Sequence, residues 1–301
     1  MPAVLRLWSC HVVTAPRRCA WRIVAFFPLI AATALCGCKD EAKESATKAL
    51  GDVAFLGALV DKDTGEIERG LPEGAKRLGT LVSAGADPAK DVAAVRRALL
   101  RVRRDVMDLA IAKSTFFALA GVDGIAIRND LEEDVMAGQN LFALFPALAR
   151  AKEGYLTTTG TFPNGSGKSG PDEDWVAATP VRRDDGSSGA LFVTGWTYRY
   201  FARHLQESLK DRLVDEAKHS ASDWKMPVFY VALFDRSGVY SAPLTPQVDE
   251  AALAAQDLVA KTASGTAQGT VTITDRAFGW AATRMPKWAS ETGIVVLRSE
   301  L

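Results

Sequence analysis

Residues 165 to 169 read GSGKS, the composition of a loop that cradles phosphate. Such a loop needs G-x-x-x-x-G-K-[ST], entered from a buried strand and followed at once by a helix whose amides face the phosphates. Gly167-Lys168-Ser169 supplies the end of that pattern, but Phe162 stands where its first glycine belongs. Downstream, Gly170-Pro171 and the acidic Asp172, Glu173 and Asp174 do not begin an apolar helix and would repel a triphosphate. The run reads as a mobile loop beside a sheet.

Other catalytic chemistry is equally poorly served. His204 and His219 both fall on a predicted helix among charged residues, where solvated positions are expected. No H-E-x-x-H, C-x-x-C or G-x-S-x-G occurs, and the pair Asp184-Asp185 sits in a turn, where it serves backbone geometry. Asp61 and Asp63 in DKDTG have the spacing of a calcium loop, but Gly65 occupies the third ligand position. The sequence therefore predicts a protein that is not an enzyme, with no metal and no cofactor.

The N-terminus carries a different chemistry. Arg17, Arg18 and Arg22 precede the apolar run from Ile23 to Leu35, too short to span a bilayer and of signal-peptide length. Leu35-Cys36-Gly37-Cys38 follows and looks like a bacterial lipobox, which makes Cys38 the lipidated first residue of the mature chain. Cys10, Cys19 and Cys36 fall in the removed leader, residues 1–37, so the mature protein has no disulfide, as suits an oxidising envelope. Several acyl chains on one cysteine hold a protein firmly to a membrane. Lys39, in place of an aspartate after the lipidated cysteine, favours the outer membrane over the inner one, with the body facing the periplasm.

Charge agrees with that placement. The chain is formally neutral, but the first 37 residues hold four arginines and no acid, so the body is mildly acidic. With no clustered basic face, nucleic acid is excluded as a partner.

Elements to position a site follow from periodicity. Lys39 to Lys48 reads as a charged tether, and the short helical region after it, to residue 84, is broken by Gly65, Gly70, Pro72 and Gly74. Asp87-Pro88 then opens a long helix to Lys113, with Asp87 as N-cap. Val92, Val95, Leu99, Val102, Val106 and Leu109 form its apolar stripe, the shape of either a homodimer seam or a packing face. Arg96, Arg97, Arg101, Arg103 and Arg104 on its other faces read as a solvated face with acidic partners such as Asp105 and Asp108. Hairpins follow at Asp123-Gly124 and Asp185-Gly186, then an amphipathic helix through Phe201, Leu205, Leu209 and Leu213. The order then recurs: hairpin, helix, glycine-rich link and further strands to residue 300, which predicts two small α+β modules built alike.

In this arrangement the sequence resembles the double Cache family, the extracytoplasmic PAS-like sensors of bacteria. The resemblance is carried by the helix Asp87 to Lys113 leading into FFALAGVDGIAIRND, by WVAATPVRRDDGSSGALFVTG, by VFYVALFDRSGVYSAP and by the closing GIVVLRS. It implies an α+β fold in which a long N-terminal helix precedes two PAS-like modules with antiparallel sheets. The first would span residues 85–222 with its linker helix, and the second, smaller one residues 223–301. It further implies a small-molecule sensor or binding protein, with the ligand cupped by the first sheet. Phe117, Trp175, Thr194, Trp196 and Tyr198 are the candidates for that cup, with Arg182 or Arg183 as carboxylate partner. Members of the family usually continue into a signalling module, whereas this sequence ends after its last strand, so a signalling partner protein is expected. The alternative is an envelope interaction protein that keeps the fold without a ligand.

Overall fold

The computed structural model describes residues 31–83, 86–162, 173–219 and 224–300, and their side chains from residue 41 onward. The leader to residue 30 and the GSGKS stretch lie outside the described residues, and at Cys38 only the backbone is described.

A single helix, α1 (Ala31–Arg77), runs through the region where the sequence predicts a tether and a broken helix. Ala42, Ser45, Ala46 and Ala49 recur at helical spacing and are buried, while Glu41, Lys43, Glu44 and Lys48 are exposed, so the charged stretch is the outer face of a packed helix. The glycines expected to break it serve close approach. A methyl group on Gly70 would meet the Leu109 side chain at 2.7 Å, and one on Gly74 would meet Phe192 at 2.7 Å and Val102 at 2.8 Å. Tertiary packing thus outweighs a helix penalty of about 1 kcal/mol per glycine.

The predicted helix Asp87–Lys113 is shorter and divided. Asp87 caps only a turn, accepting from the Ala89 amide, and the helix α2 (Val92–Asp105) starts at Asp91, whose carboxylate accepts from Ala94 N at 2.8 Å. Val106 is extended, and α3 (Met107–Ile111) continues beyond it. Val95, Leu99, Val102, Val106 and Leu109 are buried in the same core as Ile67, Leu71 and Ala75 of α1, and Val92 is 45% exposed. The stripe is a packing face.

The first module contains β1 (Phe116–Gly121), β2 (Ala126–Asn129), α4 (Leu141–Leu144), a 3-10 segment (Pro146–Lys152), β3 (Leu156–Thr161), β4 (Glu173–Arg182) and β5 (Ser188–Thr197). The helix α5 (Tyr198–Lys218) leads to the second module: β6 (Val228–Phe234), β7 (Val239–Ser241), α6 (Gln247–Ala254), α7 (Leu258–Lys261), β8 (Ala267–Ile273), β9 (Arg276–Arg284) and β10 (Gly293–Ser299). Both sheets are antiparallel and share one strand order, β2-β1-β5-β4-β3 and β7-β6-β10-β9-β8. The chain is therefore α+β, a long N-terminal helix followed by two modules of one topology. Turn chemistry agrees with the hairpin signals: Gly124 and Gly186 take positive φ, as do Thr274 and Asp275 between β8 and β9.

Each sheet has an inner and an outer face, set by the two-residue period of a strand. The inner faces join α1, α2 and α5 in one core that crosses both modules. α1 lies along β8 to β10 of the second sheet and reaches β4 and β5 of the first. Gly279 lets it seat there, since a side chain on that residue would run into the α1 backbone at Ser45 and Ala46. Each outer face packs a separate core under its own short helices. No helix among the described residues is long and apolar enough to cross a membrane.

Candidate functional site

The core on the outer face of the first sheet holds a cavity. Phe116 of β1, Val176 of β4 and Val193 of β5 floor a cavity of about 150 Å³. Gly195 pairs with both Phe116 and Val176 in the same row, where a methyl group on it would run into the Trp175 carbonyl of β4, so only glycine lets the strands approach there. Leu141, Phe145 and Leu148 from α4 and the 3-10 segment form one wall, and Phe162 beyond β3 another. Leu131, Val135 and Met136, from the loop after β2, close the side nearest β1.

That loop is held by its own polar groups. Asp134 accepts from the amides of Asn129 at 2.8 Å, Met136 at 2.9 Å and Ala137 at 3.0 Å. Arg128 pairs with Asp134 at 3.0 Å and donates to the Leu131 carbonyl at 2.8 Å. Behind it Asp130 is buried: it accepts from Phe117 N and pairs with Arg103 at 2.7 Å, while Arg96 donates to its carbonyl. Two members of the α2 arginine cluster thus fasten the loop that borders the cavity. The polar lining comes from Thr115, Asn129, Asp174 and Thr197. Thr115 donates to Gly195 O at 2.8 Å, Thr197 caps α5 through Tyr200 N, and Asp174 accepts from Phe162 N at 3.0 Å.

The residues singled out from the sequence lie elsewhere. Phe117, Trp175, Thr194 and Trp196 alternate with the cavity residues along the same strands and face inward. A shift of one residue moves a side chain to the opposite face of a sheet. Thr194 spends its hydroxyl on Phe116 O at 2.6 Å. Trp175 and Trp196 stack at 4.3 Å, and Trp288, from the turn before β10, lies 5.6 Å from the first and 5.5 Å from the second. Tyr198 and Phe201 at the start of α5 complete the cluster, with the Tyr198 hydroxyl 3.3 Å from that of Thr292. Burial pushes the Tyr198 phenol far up, so it stays neutral. These aromatics join the two modules, each close pair adding about 0.5–1.5 kcal/mol beyond burial. Arg182 donates to Gly186 O and Glu153 O, and Arg183 to Ser188 O, so both brace the β4–β5 hairpin.

The histidines divide. His219 is exposed, but His204 is largely buried on α5, its Nε2 2.9 Å from the Asp63 carboxylate of α1. Asp63 belongs to the DKDTG stretch, which is helical and ties α1 to α5. Beside it, burial and the Asp63 carboxylate raise the Glu66 pKa. No group of three metal-ligating side chains occurs among the described residues.

The outer face of the second sheet is packed. Phe234, Phe278 and Trp280 fill it beneath Leu253 and Leu258, and the Trp280 ring lies where a side chain on Gly269 would stand. A cleft of about 490 Å³ opens at the edge of this face, between the β6–β7 turn and α7, where Phe234, Val239 and Leu258 line it together with charged residues. Its charged groups are committed: Arg236 pairs with Glu291, and Arg284 donates to the carbonyls of Val259 and Ser290.

The floor at Val176 and Val193 was not legible in the sequence because WVAA and ALFV are apolar at every position, so parity cannot be read from them, and Asn129 ends a strand with no motif around it.

No family model matches the sequence, and no curated protein matches it. Solved structures do. The extracellular domain of vpHK1S-Z8, described as a histidine kinase, aligns over 87% of this chain and 93% of its own, with 12% identity and a TM-score of 0.54. The ligand-binding domain of the Campylobacter jejuni chemoreceptor Tlp3, solved with 4-methylisoleucine, covers 86% of this chain and 92% of its own at 9% identity, with a TM-score of 0.48. An extracellular ligand binding receptor from Desulfohalobium retbaense DSM5692 covers 84% at 10% identity and a TM-score of 0.47, and this chain spans only 40% of its length. The chain has the two-module fold of the vpHK1S-Z8 extracellular domain, the fold that its resemblance to the double Cache sensors implies.

Proposed function

We propose that this protein is an envelope lipoprotein that binds a small molecule in the outer-face cavity of its first module and acts as a sensor or binding component without transforming its ligand. Cys38 is the lipid attachment site, and the body faces the periplasm from the outer membrane. The observation that supports the reading is the contrast between two sheets of one topology: the first has a largely apolar cavity beneath its short helices, where in the second Phe278 and Trp280 fill the space and a charged cleft opens at the edge. A duplicated fold packed for stability alone would fill both. The cavity also has the make-up of a recognition site, mostly apolar with a few polar groups on a braced frame. A ligand signal would pass to a partner protein through the core that α1 shares with both sheets.

The competing reading, an interaction protein without ligand, relied on the Val92 to Leu109 stripe, and that stripe is packed against α1. A thermal-shift screen of the full-length protein in detergent against amino acids, organic acids, amines and purines tests the proposal. Ligand at a hundredfold over its Kd stabilises by about 2.7 kcal/mol. Val193→Phe, which fills the cavity floor, is expected to abolish the shift while leaving the unliganded melting temperature equal or higher. A hit insensitive to that substitution sends the site elsewhere, and the absence of any hit favours the interaction reading. Labelled fatty acid is expected to enter the wild-type protein in cells, and incorporation that persists in Cys38→Ser would refute the anchor.

A further inference from the structure

Asn129 is 1% exposed and lines the cavity. Its Oδ1 accepts from Leu131 N at 3.0 Å, which fixes the orientation of the amide. The opposite atom, Nδ2, is buried and has no acceptor among the described residues. Among the described buried groups left without a partner, this is the one that lines the cavity, where an ordered water or a bound molecule can answer it.

The other charges around the cavity restrict that molecule. None of the described lining residues is basic, and Asp174 contributes a buried carboxyl group. The nearby arginines are already engaged, Arg128 with Asp134 and Arg103 with Asp130. An anion entering here would lose its water, find no cation among the described lining residues and lie beside the Asp174 side chain. A cation would face the N–H groups of Asn129, while Asp174 Oδ2 is occupied by Phe162 N at 3.0 Å. The volume is small: a cavity of about 150 Å³ is the size that holds a benzene ring.

We propose that the cavity selects small, largely apolar, uncharged ligands that present a hydrogen-bond acceptor to Asn129 Nδ2, and that it rejects anions. The inference rests on the reading of the cavity as the ligand site. Specificity of this kind is strong, because an analogue without the acceptor leaves a buried donor unpaired.

Four probes that share one ring separate the possibilities: toluene, benzyl alcohol, benzylammonium and benzoate, titrated calorimetrically into the full-length protein near neutral pH. Benzyl alcohol is expected to bind about tenfold more tightly than toluene, the effect of one buried hydrogen bond, and benzoate and benzylammonium more weakly than benzyl alcohol by at least about tenfold. In Asn129→Leu the preference for benzyl alcohol over toluene should vanish while toluene still binds. That ratio is measured within one variant, so a loss of stability does not imitate it. Val193→Phe should abolish binding of both. Benzoate or benzylammonium binding as tightly as benzyl alcohol overturns the assignment, as does a preference that survives in Asn129→Leu. If toluene binds in a Val193-dependent way but the ranking fails, the cavity stands and the ligand class falls. If no probe binds and the metabolite screen is also empty, the cavity reading falls with it.

Discussion

Removing the indole of Trp288 takes away one ring that lies against Trp175, Trp196, Tyr198 and Phe201 together. Since those partners come from the first sheet and α5, and Trp288 from the second module, the substitution Trp288→Ala opens the joint between modules. We expect it to lower unfolding free energy in urea by about 3–5 kcal/mol, as for other buried aromatics. A loss under 1 kcal/mol would mean that the modules hold together without the cluster. Glu250 is a second residue with a measurable role. Burial pushes its carboxyl up, but the paired Arg199 guanidinium, at 2.8 and 3.0 Å, and the Ser241 amide outweigh burial and leave the pKa below the ordinary 4.5. A carboxylate with a lowered folded pKa contributes stability that is complete above its unfolded value and is lost as pH falls through the folded one. Glu250→Gln should therefore destabilise the protein at neutral pH by about 2 kcal/mol, and the gap from wild type should close as pH falls below that ordinary value. A gap that is constant with pH would assign the loss to packing alone.

At the scale of the element, α1 offers a paired test. Gly51 has nothing within 4 Å of an added methyl group, whereas at Gly74 that methyl would enter Phe192, Val102 and Leu109. Gly51→Ala is expected to stabilise by about 0.5–1 kcal/mol through helix propensity, and Gly74→Ala to destabilise by about 1–3 kcal/mol through overpacking. Melting curves of the two variants check the contrast, and equal shifts would show that the glycines are interchangeable. The same residues mark what was legible in the sequence. Hairpins, the amphipathic α5 and the repeated order were readable because turn residues and periodicity act locally. The continuity of α1 was not, because Gly65, Gly70, Pro72 and Gly74 break a helix by local rules, and only the side chains of distant residues reward the close approach. The start of α2 failed for a related reason, since Asp87 and Asp91 carry identical capping chemistry. The face on which Phe117, Trp175, Thr194 and Trp196 lie was not legible either, because these strands are largely apolar on both sides and one residue along a strand changes the face.

For the whole molecule, two modules of one strand order share a core along α1 and α5, yet their outer faces have diverged. In the second, Phe234, Phe278 and Trp280 occupy the space beneath the short helices. In the first, a cavity bordered by the loop braced through Asp134 stays open. A ligand there would tighten the Leu131 to Met136 loop, which is joined through Asp130 to Arg96 and Arg103 of α2 and so to the common core. Xenon enters dry apolar cavities of this size, so diffraction from crystals of the protein held under xenon pressure tests the divergence directly. The account predicts a xenon site bounded by Phe116, Val176 and Val193 and none among Phe234, Phe278 and Trp280. Xenon bound beneath α6 and α7 with the first module empty would contradict it.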